Sequence, residues 1–163
     1  MPLEVIERPA FTVVGMNIRT KNMSPEIPAL WPKFVARIGE IENPAEPRVS
    51  YGVMRLPLPS GMQALDYMAA VSVKPGGRVP GGMEALTIPA GMYTACRYPL
   101  AELGKGFGEI FNRLLPQSDY AQVPGPWFER YDESFDPHDP RSLVEICLPL
   151  RSRASGKAGG MTA

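Results

Sequence analysis

"KPGGRVPGGMEALTIPAGMYTACRYPL", residues 74–100, decides how this chain is read. Its first ten residues hold four glycines and two prolines, the composition of a linker. A strand candidate follows, with an early Pro89-Ala90. Eighty positions earlier the same pair, Pro9-Ala10, stands in "ERPAFTVVGMNIRT", another strand candidate rich in β-branched residues. The organisation therefore begins again after the linker, and a repeat changes the fold expectation more than any single element does.

Working outward, each half carries one helix and two further strands. In "SPEIPALWPKFVARIGEI", residues 24–41, Ile27, Leu30, Trp31, Phe34, Val35, Ile38 and Ile41 recur at three- and four-residue spacing. That spacing predicts an amphipathic helix. Pro28 suits its N-terminal turn, and Pro32 fits only if it still lies in that turn. In the second half "AELGKGFGEIFNRLLP" sets Leu103, Phe107, Ile110, Phe111, Leu114 and Leu115 on one face, and Pro116 ends it. "RVSYGVMRLPL" and "ALDYMAAVSV" read as strands joined by a hairpin loop, "PLPSGMQ". "PWFERYDE" and "SLVEICLPL" read as their counterparts. The order is strand-helix-strand-strand, twice. Neither half can close a core alone. The expectation is an α+β domain over residues 1–151, with repeats at about 1–74 and 83–151. Its sheet is mostly antiparallel, with both helices on one face. Residues 152–163, small and polar, are expected to be a disordered tail.

Composition removes several function classes. Lys plus Arg and Asp plus Glu balance at 17 each, so no basic face for nucleic acid is expected. No apolar run approaches a membrane span, and the acidic N-terminal stretch lacks a secretory signal. A cytoplasmic protein, monomeric or weakly dimeric, is expected. Cys96 and Cys147 match no metal or redox spacing, and His138 has no partner His or Cys. No metal and no cofactor is expected.

One residue resists a bland reading. In "PGPWFERYDE", residues 124–133, Glu129 stands among Trp127, Phe128 and Tyr131. On a strand Trp127, Glu129 and Tyr131 share one side. A carboxylate among rings is unfavourable unless compensated, by a buried Arg, a wet edge or a bound cation. Glu145 is a second acid. In "SLVEICLPL" Val144, Ile146 and Leu148 would face the helices, which leaves Glu145 and Cys147 on the other face, toward a cleft or toward solvent.

The pieces in order, "ERPAFTVVGMNIRT", "IPALWPKF", "YGV", "LDYMAAVSV", "MEALTIPAGMYTACRY", "FNRLLPQSDY", "PWFERYDE" and "VEICLPL", resemble the gyrase-inhibitor-like effector-binding domain. That domain forms the C-terminal half of AraC- and MerR-type multidrug regulators and also occurs alone. The resemblance implies a pseudo-two-fold arrangement of the repeats and a cleft between them that holds lipophilic, often cationic aromatic compounds. It implies an acid at the base of the cleft, which falls on Glu129. It assigns aromatic walls to Trp31, Tyr51, Tyr67 and Tyr93; strand parity adds Tyr131, and Glu145 stands as the rival acid, both as further ligand-binding candidates. The chain opens at the first strand of the domain, so a stand-alone binding module for effector sensing or drug sequestration is expected. Two alternatives stay open. One is a hydrolase of electrophilic cyclopropane-containing toxins with Glu129 as its catalytic acid or base. The other is a protein-binding inhibitor.

Overall fold

Each repeat opens with a strand that a proline interrupts, and the two interruptions organise the sheet. The computed structural model describes residues 3–21, 23–55 and 64–153. The first repeat runs β1 (Val5–Arg8), β2 (Phe11–Thr20), α1 (Met23–Arg37), β3 (Ser50–Arg55) and β4 (Leu65–Val73). The second begins with β5 (Glu84–Ile88), β6 (Gly91–Thr94), β7 (Cys96–Pro99) and α2 (Leu103–Glu109). It ends with β8 (Tyr120–Gln122), β9 (Trp127–Tyr131), β10 (Leu143–Cys147) and β11 (Pro149–Ser152).

Pro9 and Pro89 let the chain leave one ladder and enter another. β1 pairs with β6 of the other repeat, Val5 opposite Thr94 and Arg8 opposite Gly91. β5 pairs with β2, Ala85 opposite Val14 and Ile88 opposite Phe11. A shift of eighty residues turns one ladder into the other. The short opening strand of each repeat thus completes the sheet of its partner. The seven-stranded sheet has the order β5-β2-β4-β3-β9-β10-β7, and β3 and β9 meet across the pseudo-two-fold. A four-stranded sheet, β1-β6-β11-β8, bends away where the second repeat's strands break at Ala95 and Leu148. Thr94 ties that break: its hydroxyl donates to the Ile146 carbonyl at 2.8 Å and accepts from the Leu148 amide at 2.9 Å. The ladders among the described strands are antiparallel.

Both helices lie on one face of the seven-stranded sheet, as the amphipathic spacing requires. Leu30 and Phe34 of α1 pack on Val14, Leu65, Tyr67, Ala69 and Val71. Phe107 from α2 and Trp127 border this core and the second helix's core alike. Gly106 sets α2 directly on a ring, since a Cβ there would stand 2.5 Å from Tyr98. Three glycines in seven residues make α2 a weak helix by propensity, at about 1 kcal/mol each relative to Ala. Packing holds it, and it continues as a π-helical turn, Ile110–Leu114, that carries Ile110 and Leu114 into the core.

One expectation about α1 needs correcting. Pro32 lies well past the first turn, inside the helix with Pro28. Both rings sit on the exposed side. There water can serve the carbonyl that loses its partner, so the helix tolerates the missing amides. The hairpin loop 57–63 lies outside the described residues. Of the expected tail, Ser152 closes β11, and residues from 154 onward lie outside the described residues. Both cysteines are buried free thiols. Among the described residues no helix is long and apolar enough to cross a membrane.

The opposite sheet face is sealed by an aromatic cluster drawn from both repeats. Phe128 is fully buried, with the rings of Phe11 at 5.6 Å, Tyr51 at 5.8 Å and Tyr93 at 5.3 Å. Phe128→Ala is expected to lower stability by about 3–5 kcal/mol, read from denaturant midpoints. A loss under about 1 kcal/mol would show that this cluster does not join the repeats.

Candidate ligand-binding site

β9 lies beside the pseudo-two-fold, and its pleat sorts its side chains. Trp127, Glu129 and Tyr131 face the helices, while Phe128 and Arg130 face the opposite side. Glu129 is only 7 % exposed. Of the three compensations open to it, a buried Arg is not the one used: among the described residues no basic group pairs with it. Two hydroxyls serve it instead. Tyr131 donates a short hydrogen bond to its Oε1, and Tyr67 donates to the same oxygen at 3.4 Å. The Trp31 indole donates in turn to the Tyr67 hydroxyl at 3.1 Å. Helix α1 and strands β4 and β9 therefore contribute to one hydrogen-bonded chain.

The electrostatics follow from that geometry. Burial pushes the Glu129 carboxyl above its ordinary range, and the two hydroxyl donors only partly oppose it. Burial and the neighbouring Glu129 also push the Tyr67 and Tyr131 phenols up, so both remain neutral donors.

Glu129 fits here because its neighbour on β3 has no side chain. Gly52 lies opposite it in the ladder. A Cβ at that position would stand 2.2 Å from the Tyr67 hydroxyl and 2.9 Å from Glu129 Oε1. In "YGV" the tyrosine draws the eye, but the glycine is the residue the site needs. The available signal was a glycine inside a strand, which often marks a close approach.

Rings continue on both sides of the carboxyl. Tyr131 meets Trp31 at 5.5 Å and Phe135 at 4.8 Å, both edge to face. On the other side Trp127 meets Phe111 at 5.2 Å and stacks near Phe107 at 6.5 Å. Phe135, from the segment after β9, thus reaches the site through Tyr131. Tyr120 packs in the second helix's core instead.

Trp31, Tyr67, Glu129 and Tyr131 come together; Tyr51, Tyr93 and Glu145 do not join them. Tyr51 follows the pleat away from Gly52, donates to Glu46 at 2.6 Å and packs on Phe11 and Phe128. Tyr93 donates to the Pro89 carbonyl at 2.6 Å. Glu145 is as buried as Glu129, at 8 % exposure, but two arginines meet it. Arg8 stands at 2.6 Å and Arg97 at 3.4 Å. The physical reason is parity: neighbours along a strand point to opposite faces. A motif match assigns a tyrosine without saying which face it takes.

The model of the GyrI-like small molecule binding domain matches residues 1–151. The chain belongs to this family. Among its relatives, the transcriptional regulator BrlR of Pseudomonas aeruginosa is 33 % identical over 153 residues. The match covers 92 % of this chain and 56 % of BrlR, so the GyrI-like chain spans little more than half the length of that curated relative. The structure of SAV2435 bound to tetraphenylphosphonium superposes with a TM-score of 0.72 at 16 % identity, covering 93 % of this chain and 94 % of that one. The EcmrR C-terminal domain gives 0.70 at 14 % identity, covering 92 % and 97 %. At such identities the likeness is one of fold, and the fold is the expected α+β arrangement of two helices on mostly antiparallel sheets.

The uncompensated acid has a measurable consequence. A carboxyl raised in the folded state stabilises the fold fully below its unfolded pKa, and that contribution is lost as pH rises through the folded value. Gln mimics the protonated acid. Glu129→Gln is therefore expected to raise the thermal midpoint of the empty protein at neutral pH. The gain should shrink as pH falls toward the ordinary value of 4.5. A midpoint lowered by the substitution at pH 7 would contradict an uncompensated Glu129.

Proposed function

We propose that this GyrI-like domain binds lipophilic aromatic cations at the helix-side strip centred on Glu129, as an effector-binding module. The observation that carries the reading is a buried carboxyl group among rings with no basic side chain beside it among the described residues. A carboxylate in such surroundings lacks only a counter-ion, and a delocalised cation loses less hydration on entering than an ammonium does. Trp31, Tyr131 and Trp127 keep part of their ring surface exposed, and each cation set over a ring face gains about 0.5–2 kcal/mol. Flat apolar surface adds about 25 cal/mol per Å2 buried. These terms need few directional bonds, which suits a tolerant binder.

Two comparisons support the reading. The ligand in the SAV2435 structure, tetraphenylphosphonium, is a lipophilic monocation. BrlR, of which this chain matches little more than half, is a transcriptional regulator, which favours effector sensing over simple sequestration. Tyr51, Tyr93 and Glu145 stand outside the proposed contact set, because their hydroxyls and charge are engaged on the other sheet face.

Titration calorimetry with tetraphenylphosphonium and with neutral triphenylphosphine oxide tests the proposal. Glu129→Gln should weaken the cation by about 1–3 kcal/mol and leave the neutral ligand nearly unchanged. Trp31→Ala should weaken both, since it removes ring surface and not charge. Equal losses for both ligands in Glu129→Gln would show that Glu129 supports the fold and not charge recognition.

A further inference from the structure

The two buried acids of the sheet are handled in opposite ways. Glu145 faces Arg8 and Arg97, so its charge is answered within the chain. Among the described residues the polar groups that meet Glu129 are hydroxyls. Its own strand contributes Tyr131, β4 contributes Tyr67, and β3 contributes Gly52. β10 sets Ile146 beside it and turns Glu145 to the other face. From α1 the facing group is Trp31; the charged Glu26 and Lys33 are exposed, and Arg37 pairs with Glu40. From α2 and its π turn Phe107 and Phe111 face the strip through Trp127. There Lys105 is exposed, while Glu109 engages Arg113 and Tyr98. In the segment after β9, Phe135 meets Tyr131, Asp132 accepts from Ser134, and Glu133 is exposed. Among the described residues the titratable groups facing Glu129 are thus two tyrosines, and neither brings charge.

We propose that the site takes permanent lipophilic cations in exchange for the proton of Glu129, one proton leaving for each cation bound. The proposal rests on the cation-binding reading above. In the empty site the neutral acid satisfies its surroundings, because hydroxyls can hydrogen-bond a carboxylic acid but cannot cancel a carboxylate's charge. A cation among the rings reverses the preference. The O–H bond of Glu129 breaks, its electron pair stays on the carboxylate, the proton passes to bulk water, and the carboxylate pairs with the cation. Net charge in the site is zero before and after. Burial raises the Glu129 carboxyl in the empty protein, which extends upward the pH range in which the proton is held.

Linkage makes the exchange visible. While the empty site is protonated, affinity for a permanent cation should rise about tenfold per pH unit, then level off once the empty site ionises. A neutral ligand of similar shape should show the opposite trend, flat at low pH and weaker above that point, because it must share the site with a bare carboxylate. Amines that enter unprotonated should release no proton, since the acid's proton moves onto the bound amine.

The experiment is calorimetric titration of the full chain with tetraphenylphosphonium from about pH 5 to about pH 8, in two buffers of different protonation enthalpy. About one proton released per cation at the acid end, with affinity rising with pH, is the expected result. Glu129→Gln should bind more weakly, with no pH trend and no released proton. If wild type binds in a Glu129-dependent way but with flat affinity and no buffer effect, the exchange is wrong and the cation-binding reading stands. If wild type binds the cation at no pH, that reading falls and the exchange with it.

Discussion

The structure depends on a reciprocal strand exchange. β1 and β5 are short, and each completes the sheet of the other repeat in ladders that superpose after an eighty-residue shift. A two-stranded start with a helix and a hairpin exposes too much edge to stand alone. Crossing at Pro9 and Pro89 covers both edges at once. The exchange also brings β3 against β9, and Gly52 against Glu129, at the centre of the molecule. The candidate site thus sits on the pseudo-two-fold, where neither repeat alone could assemble it.

The pleat then divides the chemistry. The face away from the helices is electrostatically closed. Glu46 accepts from Tyr51, Ser72 and Arg130, and though burial works to raise its carboxyl, these bonds and the arginine hold it below the ordinary range. Glu145 has Arg8 and Arg97. Phe128, Tyr51 and Tyr93 fill the space between, and the Arg8 guanidinium lies 5.5 Å over the Phe128 ring. Partnered charges and edge-to-face rings make that face a structural one. On the helix face the described residues set hydroxyls and rings beside the acid and no basic side chain.

Burial works against the ionised form of Glu129, which is a cost to the fold wherever that form is populated. Natural proteins commonly keep such costs where a ligand acts. Helix α2 shows the same tendency. Gly106 is required by the Tyr98 ring, but nothing lies within 4 Å of a Cβ at Gly104, and only the Asn112 amide lies near one at Gly108. Two residues that an alanine could replace leave the element carrying Phe107 dependent on packing against Trp127 and the sheet.

Much of the fold was legible in the chain. The repeated Pro-Ala, the three- and four-residue spacing in both helices and the alternation in "PWFERYDE" are local signals, because helix and strand periods are properties of the backbone. They identified the α+β class, the two-fold organisation and the company of Trp127, Glu129 and Tyr131 on one face. The proline rule misplaced Pro32, since a helix exposed on that side tolerates what an interior one does not. The partners of each acid were not legible. Arg8 reaches Glu145 across 137 positions, and Tyr67 reaches Glu129 across 62. Strand register across the pseudo-two-fold decides both. The same register turns Tyr51 away while turning Gly52 toward the acid, although the two are adjacent in the chain. Local periods settle which residues can surround a carboxylate. That Glu129 meets hydroxyls and no basic side chain among the described residues is settled by the fold, because charge compensation depends on which distant strands meet.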